Sequence, residues 1–69
     1  MTLDELRLHL QRLIDGYVWD QAERARLLSL VRRTDVPVKA LLVGLEPFVS
    51  GTISQSDANI IKDIAFHFC

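Results

Sequence analysis

A single cysteine, Cys69, stands at the end of the 69-residue chain. One thiol cannot close an internal disulfide, so no cystine framework staples the fold and pairing between molecules is the only disulfide open to it. A reduced, cytoplasmic setting is the simplest expectation for such a chain. Histidine is almost as scarce: His9, His67 and Cys69 are the only soft metal ligands. His67 and Cys69, two apart on a helix, point to different sides, and a zinc site would need a fourth ligand that the chain does not offer beside them. No metal and no cofactor are expected. The three glycines form no phosphate-cradling loop, and so few histidines single out no Ser–His–Asp set. Carboxylate pairs such as Asp4/Glu5 sit where helix capping explains them. An enzyme is not expected.

An excess of either charge is also missing. Eight basic residues oppose nine acidic ones, for a net charge of −1 and a pI near 6.0. That balance supplies no general pull toward nucleic acid or an anionic membrane surface. The best apolar run is broken by Lys39 and Glu46, too soon to span a bilayer. The start, Met1-Thr2-Leu3-Asp4-Glu5, is acidic and helix-capping, unlike the basic start of a signal peptide. A soluble chain is expected.

Apolar residues, by contrast, are plentiful. They make up 49% of the chain, with a mean hydropathy of +0.18. Sixty-nine residues make one domain, in approximate halves 1–34 and 35–69, and a domain that small hides only a modest fraction of its surface. Part of the apolar surface is therefore expected outside, at an interface with a protein partner or a second copy.

The apolar residues fall at helical spacing. Thr2 with Glu5 is a capping-box pattern, after which Leu3, Leu6, Leu10, Leu13 and Ile14 share one stripe. Leu8 lies across the helix, among Glu5, Arg12 and Asp15. Asp20 and Glu23 repeat the capping pattern for a second helix over about Asp20–Arg33, with Leu27, Leu28, Leu30 and Val31 on a wide apolar face. Arg32 and Arg33 are expected in its last turn, where cations complement the helix dipole. Thr34-Asp35-Val36 connects to a third helix whose first turn suits Pro37. Val38, Leu41, Leu42, Leu45, Phe48 and Val49 form its inner face, and Ala40 with Gly44 a small-residue seam. Val43 is the misfit, set between Lys39 and Glu46, and Pro47 is expected to kink or finish the helix. Ser54, Ser56 and Asp57 are the candidate caps of a fourth helix lined by Ile60, Ile61, Ile64, Ala65 and Phe68, with Phe66 pointing away.

Two short stretches organise this pattern: Leu13-Ile14-Asp15-Gly16-Tyr17-Val18 and Phe48-Val49-Ser50-Gly51-Thr52-Ile53. Each is expected to close a helix and turn the chain at glycine, which reaches positive φ without a Cβ clash. Sliding the second half back by 35 positions pairs Leu3 with Val38, Leu10 with Leu45, Gly16 with Gly51 and Leu8 with Val43. The expected architecture is all-α: four short helices as two helix–Gly–helix hairpins packed together, with a possible internal two-fold repeat.

The helix–Asp-Gly-x-Val–helix pattern resembles an EF-hand, so the ligand positions decide what it can bind. With Gly16 at the sixth position of a calcium loop, the first and third are Gln11 and Leu13 and the twelfth is Ala22. With Gly51 they are Glu46, Phe48 and Asp57. Leu13 and Phe48 cannot coordinate calcium. The second and third helices also imitate a helix-turn-helix. A recognition helix, however, presents polar and basic side chains to base edges, and Pro37-Val38-Lys39-Ala40-Leu41-Leu42 offers one basic residue. Arg24, Arg26, Arg32 and Arg33 are placed to reach phosphates or to form a solvated face.

What remains is protein recognition. Aromatic and arginine side chains dominate interface hot spots, so the interface candidates are Leu8, Tyr17, Trp19, Arg26, Arg33, Val43 and Phe66. Trp19 has a structural alternative, stapling its loop onto the second helix to complete the core. The expected function is a small cytoplasmic interaction module: a self-associating adaptor, or an inhibitor docking on a larger protein. Six arginines against two lysines suit a bacterial or phage accessory protein. The competing expectation is a small DNA-binding transcriptional regulator.

Overall fold

Four helices and no strand make up the computed structural model, which describes residues 1–69: α1 (Leu3–Tyr17), α2 (Gln21–Val31), α3 (Val38–Val49) and α4 (Gln55–Phe68). Local capping starts three of them. The Thr2 hydroxyl accepts from the Glu5 amide at 3.2 Å, and the Glu5 carboxylate accepts from the Thr2 amide at 2.9 Å, closing a capping box. Asp20 caps α2 and Ser54 caps α4, each accepting at 3.1 Å from the amide three residues on. α3 starts after Pro37 with no side-chain cap.

α1 and α3 each touch all three other helices, whereas α2 and α4 do not meet. The two hairpins thus pack through a central α1–α3 pair, with α2 and α4 as flanks. Leu6, Leu10, Leu13 and Ile14 of α1, Leu27 and Val31 of α2, and Val38, Leu41 and Leu45 of α3 bury together with Val18. α4 adds one buried side chain to this core, Ile64. Each such aliphatic side chain contributes about 1.5–3 kcal/mol when taken fully from water. No polar side chain is buried.

The first hairpin does not turn at glycine. Gly16 lies inside α1, which runs on to Tyr17 before Val18, in extended conformation, donates its amide to the Ile14 carbonyl at 3.0 Å. Only Gly51 has positive φ, at 79°. The helix outlasts its glycine because the next two residues have uses beyond the turn: Tyr17 reaches α4 and Val18 is fully buried. Pro47 falls in the last turn of α3, which finishes at Val49, close to where the proline was expected to end it. The small-residue seam is used at one of its two positions. A Cβ on Gly44 would stand 2.7 Å from a Leu27 methyl, so the bare backbone there lets α2 approach, while Ala40 is exposed.

α2 is shorter than its sequence pattern, ending at Val31, so Arg32 and Arg33 fall beyond its last turn. Their place at the helix end is taken from across the fold. The Arg7 guanidinium donates to the Val31 carbonyl at 3.2 Å and the Arg33 carbonyl at 3.0 Å. In return, Arg24 of α2 donates to the Val18 carbonyl at 3.0 and 3.1 Å, past the end of α1. Each helix of the hairpin therefore supplies the cation at the other's C-terminal end, where carbonyls lack partners.

Candidate functional site

Six large apolar side chains remain in water, and the four most exposed lie on three helices and a loop: Leu8 at 67%, Trp19 at 77%, Val43 at 61% and Phe66 at 83%. Since only 12 of 69 residues are buried, nearly half the chain being apolar leaves much of that surface outside.

Val43 stands at the rim of a shallow depression of about 290 Å³ between α3 and α4, whose apolar lining is Leu42, Val43, Val49 and Ile61 and whose charged lining is Lys39 and Glu46. Neighbouring positions continue the apolar surface, because Ala40 and Pro47 on the same helix are also exposed. Leu8 lies over an open concavity on the outside of α1, beside Gln11, Arg12, Asp15 and Gly16. The two depressions share no residue. Phe66 projects from the outer side of α4 and meets the His67 ring edge-on at 5.5 Å.

Trp19 does not complete the core. It lies edge-on against the half-buried Phe48 ring, with centroids 5.5 Å apart, and Val18 takes the buried position in its loop. One turn back along α3, the Arg26 guanidinium lies 3.4 Å from where a Gly44 Cβ would be. Trp19 and Arg26 are thus brought to one edge, over Phe48 and Gly44. Arg26 is also paired with Glu23 at 2.7 Å, and this hydrogen bond holds the Glu23 carboxyl below its usual range. Arg33 is exposed in the turn after α2.

Tyr17 serves the fold. Its hydroxyl donates to Asp57 at 2.7 Å and accepts from the Ser54 amide at 3.3 Å. Arg12 donates to the other Asp57 oxygen at 2.8 Å. The Tyr17 hydroxyl first, and the Arg12 guanidinium after it, hold the Asp57 carboxyl below the usual aspartate range. This cluster ties the start of α4 to α1, on a helix that gives the core only one fully buried residue. Asp57, Arg12, Arg7 and Arg24 carry polar contacts that helical periodicity did not mark.

Two of the four arginines weighed as phosphate contacts are engaged within the protomer, Arg24 on backbone carbonyls and Arg26 on Glu23. No group of three or more His, Cys, Asp or Glu side chains is placed to hold a metal ion. No helix is long and apolar enough to cross a membrane. The class this geometry defines is a small four-helix domain with large apolar side chains exposed on several faces. Comparison with protein-family models, curated proteins and solved structures finds no match to the chain.

Proposed function

We propose that this chain is a small protein–protein interaction module, working in the cytoplasm as a self-associating adaptor or an inhibitor that docks through its exposed apolar side chains. One observation carries the reading: Leu8, Trp19, Val43 and Phe66, all large and apolar, stay more than three-fifths exposed although the fold has an ordered core to receive such side chains. Trp19 over Phe48 and Arg26 over Gly44, one turn apart along α3, add two side-chain types enriched in hot spots. The DNA-binding alternative has less support. Lys39 is the only basic residue of α3, and apolar Ala40, Val43 and Pro47 stand where base-reading side chains are needed.

The test is affinity capture from the native host with the wild-type chain and with Leu8→Lys, Trp19→Ala, Val43→Lys and Phe66→Lys, each checked for helicity by circular dichroism. A protein recovered in stoichiometric amount, or the chain itself as a defined oligomer, and lost with at least one variant, is the expected result. No stoichiometric partner and a strictly monomeric chain would contradict the reading. Salt-sensitive binding to duplex DNA would instead support the regulator.

A further inference from the structure

We propose that α3 is the seam of a homodimer, in which two copies pack antiparallel along Ala40, Val43 and Pro47 and Lys39 of each protomer pairs with Glu46 of the other. The inference rests on the interaction-module reading and names its partner. The outer face of α3 is thin in charge: Lys39 and Glu46, both exposed, are the only charged residues across Val38–Val49, and Val43 lies between them. Apolar side chains grouped on the exposed side of a helix mark a surface for a partner. The protomer covers one side, burying Val38, Leu41, Leu45 and Val49, and leaves Ala40, Val43 and Pro47 in water.

The charges select a second copy. Lys39 and Glu46 are seven residues apart, so they share one stripe and stand roughly 10 Å apart along the helix axis. Neither side chain has a hydrogen-bond or ion-pair partner within the protomer, where the ion pairs are Arg12–Asp57 and Arg26–Glu23. A stripe with a cation at one end and an anion at the other is complementary to itself when reversed. A two-fold axis across it sets Lys39 against Glu46 at both ends, as an isologous contact requires. A parallel arrangement would set like against like. In this antiparallel register the Val43 side chains of the two copies meet close to the two-fold axis, because Val43 lies next to the midpoint between Lys39 and Glu46.

Sedimentation equilibrium of the full chain over a concentration series tests this, with circular dichroism confirming the fold of each variant. The wild type forms a dimer, and Val43→Lys abolishes it. Lys39→Glu and Glu46→Lys each raise the dissociation constant about tenfold, because each puts like charges face to face at both ends of the seam. Combined in one chain they restore the wild-type constant, while Leu8→Lys leaves it unchanged. A monomer at every concentration overturns the dimer. A dimer that ignores Val43→Lys, or charge reversals that do not rescue one another, overturns the α3 seam. A monomeric chain that still captures a stoichiometric partner sinks the second copy and leaves the interaction module standing; a monomer that captures nothing sinks both.

Discussion

In the first hairpin the glycine stays helical and the chain reverses through Val18 and Asp20, both extended; in the second, Gly51 at φ 79° makes the turn itself. The two stretches are alike in sequence, yet different forces hold them. The first turn is secured from outside by the burial of Val18, by Arg24 on the Val18 carbonyl and by the Asp20 cap. The second relies on local backbone freedom, with the Ile53 and Thr52 amides returning to the Val49 carbonyl at 3.0 and 3.1 Å. At a turn a glycine is needed only where φ demands it, and a turn anchored by its neighbours can do without one.

That contrast can be tested from the core outward. Leu10 of α1 and Leu45 of α3 are 0% and 1% exposed. Leu10→Ala and Leu45→Ala are each expected to cost about 3 kcal/mol in urea unfolding. A much smaller cost for one would show that the halves do not share the core equally. Next come the glycines. Gly51→Ala should destabilise by about 1–2 kcal/mol, because alanine is strained at positive φ. Gly16→Ala should stabilise by about 0.5–1 kcal/mol, since its Cβ enters open space on a helix. Changes of the same sign at the two glycines would erase the distinction between the turns.

The smallest expected effect concerns the ties of α4. Asp57 has a lowered folded pKa, so its contribution is present above the ordinary aspartate range, and is lost as pH falls through the lowered value. Thermal melts across acid pH should therefore show a steeper loss for the wild type than for Tyr17→Phe, which lacks the hydroxyl that does most to stabilise the carboxylate. Equal acid slopes would mean that Tyr17 does not hold Asp57.

The same division separates what was legible in the chain from what was not. The caps at Thr2, Asp20 and Ser54 could be read because donor and acceptor lie three residues apart. The inner stripes could be read because helical periodicity marks them, and Leu8, Val43 and Phe66 stood out as misfits and are exposed. The end of α1 could not: the advantage of continuing past Gly16 comes from Tyr17, whose partner Asp57 is 40 residues away. The arginine caps were hidden for the same reason, since Arg7 reaches carbonyls 24 and 26 residues on. The exposed run Ala40, Val43 and Pro47, flanked by Lys39 and Glu46, could not be told from an ordinary polar face, because periodicity marks only the stripe that faces in.

The outer faces of α1 and α3 offer the sharpest contrast. Leu8 is apolar among Gln11, Arg12 and Asp15, whereas Val43 continues an apolar surface through Ala40 and Pro47. A dilution series following the Leu8 and Val43 methyl resonances by NMR probes both faces in one sample. The Val43 signals should move with concentration while those of Leu8 stay fixed. Stationary Val43 resonances at every concentration, or movement at Leu8 instead, would contradict the claim that α3 is where this protein meets its partner.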